Sequence, residues 1–403
     1  MIVRFAGALP CAALCFVSLV ATASAAIITI VNADDPGEGL NDPALAVPVG
    51  ANSGITLGEQ RLLALQYAAG LWGDVLASNV EILVEARFNP LGGTTTNAPL
   101  GFAGPSTVHK GFPGAPLAAT FYVAALSNSL AGSDLNPGGP DLNATFNSDV
   151  DGLDVLGPID FYYGFDRLAG PHVDFVSVAL HELAHGLGFL TLTNLQSGAK
   201  RACAESESGC NDAYLLGLVD DSFIPSAVAE LDNADRVDAF IDGPDLLWGG
   251  ANVVATSTGL TGGVRGDGRV EVFAPKPVVL GSSVSHFSTS ISPNQLMEPS
   301  YVGPNHDLAL TTALFTDLGW RLASETTTTS TSSTTMPSAT CGDANEDGEI
   351  KASDALMALR TAVGDSDCPA TRCDADSSGA VTASDAQRIL KYAVGDDVEL
   401  SCP

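Results

Sequence analysis

Residues 173–189 read VDFVSVALHELAHGLGF, and this stretch decides what kind of fold the chain adopts. Its apolar residues recur at helical spacing, which predicts one helix that ends at one of its last two glycines. His181 and His185 are four residues apart, so their imidazoles lie on the same face of that helix. Burying two imidazoles and Glu182 on an otherwise apolar helix is costly without partners. The pattern therefore predicts a metal site, with a chance match to HExxH as the alternative.

The third metal ligand does not follow this helix directly. A catalytic zinc site takes three protein ligands and leaves one position for water. Three residues after Gly188 the chain has Thr191, which is a poor zinc ligand. His286 is the better candidate, because it stands eleven residues before Met297 and a short loop joins the two. The remaining histidines are predicted to lie in a loop (His306), an entry turn (His172) and an exposed stretch (His109), and acidic residues of the 190–280 insertion are candidates without a motif.

The order of HExxH, glycine, long insertion, histidine and methionine turn resembles that of the leishmanolysin-like metzincins over most of residues 150–322. In that family, too, a later histidine supplies the third ligand. The resemblance implies a zinc metallopeptidase that acts on protein or peptide substrates. The roles it implies are zinc binding by His181, His185 and His286, general base catalysis by Glu182, and an apolar floor beneath the metal from Met297. Tyr301 is the candidate for stabilising the oxyanion, because some metzincins use a tyrosine after the methionine turn.

Elements of both kinds are predicted around this helix. Apolar periodicity predicts helices at 57–76 and 310–320, and alternation predicts strands at 80–88, 121–126 and 144–150. Together with the resemblance, they predict an α+β fold in which a mixed sheet packs against an active-site helix, as in a metzincin catalytic domain. The segment 190–280 is rich in Gly, Asp and Pro and is treated as an insertion, in which only VEVFAPKPVVL at 270–280 is assigned, as a strand and a turn.

The composition changes sharply along the chain. Residues 1–25 combine a positive charge, an apolar run and an A-x-A pattern, which predicts a cleaved secretory signal peptide, with an uncleaved membrane anchor as the alternative. Residues 325–340 are nearly all Thr and Ser, which predicts an extended linker. The sequence therefore predicts a secreted protein with a large domain at 26–324 and a small one at 341–403. No other stretch is predicted to span a membrane.

The net charge narrows the possible binding partners, and the cysteine content indicates disulfide bonds. The formal net charge is −30, which argues against nucleic acid and anionic membrane surfaces as partners. Outside the predicted signal peptide six cysteines remain, and an even number in an exported chain predicts disulfides. Cys203 and Cys210 are predicted to close one loop. The others are predicted to staple the small domain in pairs that the sequence does not decide: Cys341, Cys368, Cys373 and Cys402.

The small domain contains a twelve-residue repeat. DANEDGEIKASD at 343–354 and DADSSGAVTASD at 374–385 align without a gap. Oxygen-bearing residues at positions 1, 3, 5 and 12, with Gly at position 6, are typical of an EF-hand calcium loop, except that Asp replaces Glu at position 12. The predicted calcium ligands are Asp343, Asn345, Asp347, the Glu349 carbonyl and Asp354 in the first loop, and Asp374, Asp376, Ser378, the Ala380 carbonyl and Asp385 in the second. A helix is predicted after each loop.

A calcium loop followed by one helix, twice in a small domain, resembles a type I dockerin. The resemblance implies a small all-α domain that folds with calcium and docks onto a cohesin domain. In that family the residues at loop positions 10 and 11 help to select the partner, and here these positions hold Ala352, Ser353, Ala383 and Ser384. The four cysteines, one of which replaces the usual Gly before the second loop, depart from the family pattern.

The sequence as a whole predicts a secreted zinc metalloendopeptidase of metzincin type that carries a calcium-binding docking module. Two alternatives stay open. The first is a catalytically inactive, zinc-bearing binding protein, and the second is a scaffold component attached through the docking module. The presence of Glu182 favours the enzyme, because binding alone needs no general base.

Overall fold

The structure is a computed structural model, and it describes residues 24–222, 224–323, 341–344, 350–363, 368–393, 398 and 400–402. The described residues form two compact units, one that ends at residue 323 and one that begins at residue 341. The predicted signal peptide, apart from its last two residues, and the predicted linker lie outside the described residues.

Both units contain helices, and the described strands belong to the large unit. The helices are α1 (Leu57–Val75), α2 (Ala124–Ala131), α3 (Phe175–Leu187), α4 (Asn233–Ala239), α5 (Ala251–Thr256), α6 (Ala309–Leu318), α7 (Ala352–Ala362), α8 (Ala370–Cys373) and α9 (Ala383–Ala393). The strands are β1 (Ile28–Asn32), β2 (Leu76–Ala77), β3 (Ile82–Asn89), β4 (Gly101–Pro105), β5 (Val108–His109), β6 (Tyr122–Val123), β7 (Leu142–Asn147), β8 (Phe161–Tyr162), β9 (Val173–Asp174), β10 (Arg201–Cys203), β11 (Ser206–Cys210), β12 (Leu218–Asp220), β13 (Ser226–Ala227), β14 (Leu246–Trp248), β15 (Val270–Glu271) and β16 (Arg321–Leu322). In the described part of the chain, no helix combines the length and the apolar character that crossing a bilayer requires.

The main sheet of the large unit has four strands in the order β1, β3, β7, β4. β1, β3 and β7 run parallel, and β4 pairs antiparallel with β7 at the edge. In β3 the side chains of Ile82, Val84, Ala86 and Phe88 are buried, and those between them are half-buried. This alternation gives the sheet one apolar face, against which α1 and α3 pack. The predicted strand at 80–88 is confirmed, and the large unit is a mixed α/β structure.

α1 confirms the predicted helix at 57–76. Its first turn is capped by Thr56, whose hydroxyl accepts a hydrogen bond from the Glu59 N–H at 3.2 Å. The Glu59 carboxylate accepts from the Thr56 N–H at 3.1 Å, which completes a capping box. The buried Trp72 donates its indole N–H to the carbonyl of Leu180 at 3.0 Å. This bond fixes α1 against α3.

α3 confirms the predicted helix at 173–189 and is two residues shorter at each end. The Asp174 carboxylate caps its start by accepting from the Ser177 N–H at 2.8 Å. Gly188 ends it with a φ of 129°, in a region that favours glycine. Every residue of α3 except His181 is buried. The polar side chains of this helix therefore need partners inside the protein.

The predicted strand at 121–126 is wrong in its second half. Only its first half is extended, as a β-bridge at Phe121 followed by β6, and α2 begins at Ala124. Alanine and leucine favour a helix, and Gly132 ends α2 in the left-handed conformation with a φ of 66°. Periodicity alone does not distinguish a short apolar helix from a strand. The predicted strand at 144–150 is confirmed as β7, although it ends in a 3₁₀ helix that begins at Ser148.

The insertion at 190–280 forms a second sheet, antiparallel, in the order β13, β12, β14, β15. Its strands have two or three residues, which is too short for alternation to show in the sequence. The fully buried Trp248 donates its indole N–H to Asp317 at 3.0 Å, which joins this sheet to α6. The predicted disulfide between Cys203 and Cys210 is confirmed and links β10 to β11.

The small unit is built from α7, α8 and α9. α7 and α9 pack against each other and are the helices predicted after the two repeats. Ala358 and Ile389 form the centre of their contact and are fully buried. The disulfides that the sequence left undecided are Cys341–Cys402 and Cys368–Cys373. The predicted helical character of this unit is confirmed.

Candidate metal centre

Three histidine side chains converge beside α3. His181 and His185 are one turn apart on this helix, and His286 comes from the loop that follows β15. Backbone bonds hold this loop against the end of β15. The Val284 N–H donates to the Phe273 carbonyl at 2.7 Å, and the Phe273 N–H donates to the His286 carbonyl at 2.9 Å. We call the three side chains the histidine cluster.

The Nε2 atoms of the histidine cluster face one another. They are 3.0 Å apart between His181 and His286, 3.2 Å between His185 and His181, and 3.3 Å between His185 and His286. Burial lowers the pKa of all three rings, and burial together with the neighbouring His181 lowers the pKa of His185 to about 3. The rings are therefore neutral at pH 7, which is the form that binds a metal ion.

The other ring nitrogen of each histidine is bonded to a backbone carbonyl oxygen. These Nδ1-to-oxygen pairs are His181 with Leu296 at 2.9 Å, His185 with Phe189 at 2.8 Å, and His286 with Ser282 at 2.7 Å. Because a carbonyl only accepts, each Nδ1 carries the hydrogen and each Nε2 presents a lone pair. None of the three Nε2 atoms carries a hydrogen, so they cannot hydrogen-bond to one another and their lone pairs repel. A cation at the point where they meet would offset this repulsion.

The spacing of the cluster fits a tetrahedral metal ion. Zinc–nitrogen bonds of about 2.0–2.1 Å in a tetrahedral site place the nitrogens about 3.3 Å apart. The three Nε2 separations of 3.0 to 3.3 Å agree with this geometry. The carbonyl bonds to Nδ1 are the contacts that orient metal-binding imidazoles in proteins. In general, catalytic zinc sites have three protein ligands and a position for water, whereas structural sites use four protein ligands.

Glu182 lies next to this cluster and beside the edge strand β4. Its side chain is 7% exposed. The Glu182 side chain faces β4, where a Cβ atom on Gly101 would lie 3.2 Å from its Cγ. Burial raises the pKa of Glu182 to about 8. A carboxyl group with a pKa near neutrality can exchange a proton at physiological pH, as a general base must.

The methionine turn is connected to the cluster through backbone contacts. Met297 is fully buried, and its carbonyl accepts from the Phe287 N–H at 2.8 Å, next to the third histidine. The preceding carbonyl, of Leu296, is the one bonded to the first histidine. The Glu298 carboxylate closes the turn by accepting from the Gln295 N–H at 2.7 Å. These contacts tie the turn to both parts of the cluster, and the role of Met297 as a floor stays a prediction.

The remaining histidines lie outside the histidine cluster. His306 is 2.8 Å from the Asp174 carboxylate, so it holds a loop against the start of α3, as predicted. His172 accepts from the Asp160 N–H at 3.3 Å in the turn that enters the helix. His109 lies in β5, and its predicted exposure is wrong: pairing with β6 leaves it half-buried.

Tyr301 lies at the start of α3 rather than in the histidine cluster. Its hydroxyl accepts a hydrogen bond from the Asp174 N–H at 2.9 Å. Asp174 precedes His181 by seven residues, which is about 10 Å along an α-helix. We therefore do not assign the oxyanion role to Tyr301.

The second predicted calcium loop lies wholly within the described residues, and its carboxylates converge. Oxygens of Asp374, Asp376 and Asp385 lie within 4.8 Å of one another. Asp374 and Asp385 are fully buried. The Ser378 and Gly379 N–H groups donate to Asp374 at 2.8 and 2.7 Å, so the backbone wraps around this carboxylate. A buried group of carboxylates is stable when donors and a cation compensate its charge.

The other predicted calcium ligands are described in part. The Ser378 hydroxyl is 3.2 Å from the Ala380 carbonyl oxygen, so both oxygens lie on the same side of the second loop. In the first loop Asp343 and Asp354 are buried, and the Ala344 N–H donates to Asp354 at 2.9 Å. The predicted ligands outside the described residues are Asn345, Asp347 and Glu349.

The predicted partner-selecting positions are also described in part. Ala383 and Ser384 are exposed at the start of α9. The side chains of Ala352 and Ser353 lie outside the described part of α7. The sequence analysis missed a group of apolar residues on α7 and α9 that are 42% to 57% exposed: Leu356, Leu359, Leu390 and Tyr392. The sequence contains a signal for this group, because these apolar residues fall outside the periodic apolar face of each helix.

Comparison with known families gives the class of the small unit. Residues 341–393 match the type I dockerin domain, and this match identifies the small unit as such a domain. Dockerin domains bind calcium and dock onto cohesin domains, and proteins that carry them are typically extracellular or at the cell surface. The match does not extend to the unit that holds the histidine cluster. No curated protein matches the chain, and no solved structure matches it.

Proposed function

We propose that the large unit is a secreted zinc-dependent endopeptidase of metzincin type and that the dockerin domain attaches it to a cohesin-bearing partner. The histidine cluster carries the proposal: three Nε2 lone pairs point at one position, and a backbone carbonyl orients each ring. Glu182 directly follows His181 in α3, and burial raises its pKa to about 8. Three ligands with an adjacent carboxylate favour catalysis over a purely structural metal.

Glu182 performs the proton transfers of the proposed reaction. Zinc, when bound, supplies an activated water and polarises the carbonyl of the scissile peptide bond. Glu182 accepts the proton of the attacking water and passes it to the leaving amine. Burial of Glu182 favours its protonated form. The positive charge of a bound zinc ion would favour the carboxylate. The two effects oppose each other, so both protonation states are accessible during turnover.

β4 is the element that can hold a peptide next to Glu182. It is an edge strand, and in the described part of the chain it pairs on one side only, with β7. Gly101 and Ala103 of β4 face α3, and both are small. An extended peptide that adds to the open edge of β4 by backbone hydrogen bonds would bring its carbonyl groups past Glu182. The proposed substrate is therefore an extended segment of a protein or peptide.

Two substitutions test the catalytic proposal. We expect Glu182→Ala to bind one zinc ion per chain and to lose casein cleavage by about 10²-fold or more, because the general base is gone. We expect His286→Ala to lose both zinc and cleavage. Zinc binding is measured by competition with a chromophoric chelator, and cleavage with and without EDTA.

Glu207→Ala is the matched control, because it removes an exposed carboxylate of the same unit. It should behave as wild type in both assays. Full cleavage by Glu182→Ala, or wild-type zinc affinity in His286→Ala, would contradict the proposal. A wild-type protein that binds zinc and cleaves nothing would favour an inactive zinc-bearing binding protein instead.

For the dockerin domain we propose one calcium ion in each loop, held by the ligand sets predicted above. The supporting observation is the convergence of Asp374, Asp376 and Asp385 in the second loop. The exposed Ala383 and Ser384, with the apolar residues of α7 and α9, form the proposed cohesin-binding surface. We expect a purified cohesin to retain the full chain in calcium and to release it in EGTA. Retention in EGTA would argue against calcium-dependent docking.

A further inference from the structure

The segment that leaves α3 is held by a buried carboxylate, Asp212. This side chain is 4% exposed, although it carries a charge. One carboxylate oxygen accepts from the Thr191 hydroxyl at 2.9 Å, from the Leu192 N–H at 2.9 Å and from the Thr193 hydroxyl at 3.4 Å. The other oxygen accepts from the Leu215 N–H at 2.8 Å. Asp212 thus binds three consecutive residues of the exit segment to the insertion.

This exit segment touches both halves of the histidine cluster. The Phe189 carbonyl, two residues before Thr191, orients the ring of His185 through its Nδ1 at 2.8 Å. The Thr191 N–H donates to the Ser285 hydroxyl at 3.4 Å, directly before the third histidine of the cluster. The segment therefore connects the ligand on the helix to the ligand on the distant loop. Its position is set from one side by Gly188 at the end of α3 and from the other by the Asp212 carboxylate.

The backbone of Asp212 is itself fixed. Phe121 and Asp212 form a parallel β-bridge, in which the Phe121 N–H donates to the Asn211 carbonyl at 2.9 Å and the Ala213 N–H donates to the Phe121 carbonyl at 3.0 Å. The carboxylate is therefore a rigid anchor, because neither its backbone nor its oxygens are free to move. A rigid anchor transmits a fixed position to the groups that it binds.

We propose that Asp212 is a positioning residue of the metal centre: by binding Thr191 to Thr193 it fixes the carbonyl that orients His185 and aligns the exit segment with His286. The position three residues after Gly188 therefore serves as an anchor point, because Thr191 there binds a carboxylate instead of a metal ion. This inference rests on the proposed zinc binding of the histidine cluster, but not on catalysis.

Zinc affinity of two matched variants tests the proposal. Asp212→Asn keeps the size of the side chain and removes an acceptor and the charge. We expect its zinc dissociation constant to rise by about 10-fold or more, because contacts that orient metal ligands change affinity by about 10- to 100-fold. Asp317→Asn is the control. The Asp317 carboxylate of α6 also accepts four hydrogen bonds, one from Trp248, two from Asn252 and one from Val253. These donors belong to β14 and α5, and not to the histidine cluster.

Asp317→Asn should lower the melting temperature and leave the zinc dissociation constant unchanged. If Asp212→Asn also lowers only the melting temperature, the residue is merely structural and the proposal is overturned. Substitution of cobalt for zinc adds a second readout, because the visible spectrum of cobalt reports the coordination geometry. We expect the spectrum to change in Asp212→Asn and to stay that of wild type in Asp317→Asn.

A milder variant covers the case in which Asp212→Asn does not fold. Thr191→Val removes the hydroxyl that donates to Asp212 and accepts from the Thr193 N–H, and we expect a rise in the zinc dissociation constant of about 2- to 10-fold, the equivalent of about one net hydrogen bond. An unchanged constant in this folded variant overturns the proposal. Failure of the wild type to bind zinc removes the proposed function and this inference together, whereas zinc binding without cleavage removes only the enzymatic function.

Discussion

Gly101 shows how closely β4 approaches the proposed general base. A Cβ atom at this position would lie 3.2 Å from the Cγ of Glu182 and 3.0 Å from the Thr145 carbonyl oxygen. Both contacts are shorter than ordinary van der Waals distances. The second glycine of the strand, Gly104, has free space around the same position. The two glycines are thus alike in sequence and different in what surrounds them.

We therefore expect Gly101→Ala to displace the Glu182 carboxylate and to lower the rate of casein cleavage by about 10- to 100-fold, because small displacements of a catalytic group have effects of that size. Zinc affinity should not change, since the cluster is untouched. Gly104→Ala should retain wild-type activity. The comparison is made by initial rates at equal zinc loading, and equal rates for the two variants would argue against the placement of Glu182.

Individual residues of the candidate site could be predicted from the sequence where a local pattern marks them. His181, Glu182 and His185 are fixed by helical spacing, and His286 was identified by its distance from Met297. The carbonyl groups that orient the rings and the anchoring carboxylate of the exit segment could not be predicted, because neither depends on a sequence pattern. They follow from how distant segments pack, and any residue type can supply a carbonyl.

The start of α3 is bonded both within the helix and to a distant loop. The Asp174 carboxylate accepts from the Ser177 N–H at 2.8 Å, from the Ser177 hydroxyl at 2.7 Å and lies 2.8 Å from His306. The Ser177 hydroxyl also accepts from the Asn305 N–H at 2.7 Å. The cap therefore joins α3 to the loop after the methionine turn.

We expect Asp174→Ala to lower the free energy of unfolding of the large unit by about 2 kcal/mol or more, since it removes a helix cap and leaves buried donors without an acceptor. Thr56→Ala removes the cap of α1, whose partners are exposed, and should cost about 1 kcal/mol. Denaturant unfolding measures both. Equal losses would show that the loop contacts of Asp174 add nothing to the cap.

Helices and strands were predicted correctly where the apolar pattern repeats over many residues. α1, α3 and α6 extend over ten or more residues, so their apolar pattern was visible, and β3 alternates over its full length. The strand predicted at 121–126 failed, because six apolar residues fit either structure and the helix propensity of alanine and leucine decided the outcome. In the insertion only the strand predicted at the start of 270–280 is confirmed, as β15, and the other three strands could not be predicted, because they are held by pairing with one another rather than by a local pattern.

At the scale of the whole molecule, the two proposed calcium loops can be removed one at a time. Asp354 and Asp385 occupy position 12 of the two loops, and both are fully buried. We expect the full chain to bind two calcium ions, Asp354→Ala and Asp385→Ala to bind one each, and the double variant to bind none. Titration calorimetry gives the stoichiometry, with Glu207→Ala as a surface control. Two ions bound by either single variant would contradict the assignment of that loop.

The two disulfides of the dockerin domain should contribute unequally. Cys341 and Cys402 are 61 residues apart, and Cys368 and Cys373 are 5 residues apart. Closing the longer loop restricts the unfolded chain more, by about 4 kcal/mol against about 2 kcal/mol in the loop-entropy relation. We expect replacement of the first pair by serine to lower the free energy of unfolding in excess calcium by more than replacement of the second. An equal loss would contradict this explanation.

The bond between Cys341 and Cys402 also decides how the dockerin domain responds to pulling. A large unit moving in a flowing medium would drag on the dockerin domain through the predicted linker, and that drag would reach the domain at Cys341. The covalent link shares the tension with the segment that contains Cys402, where the Ser401 N–H donates to the Ala375 carbonyl at 3.0 Å. Peeling the entry segment away from the domain would require breaking a sulfur–sulfur bond, so the domain itself would resist unravelling from that end under a load that its noncovalent contacts alone would not withstand.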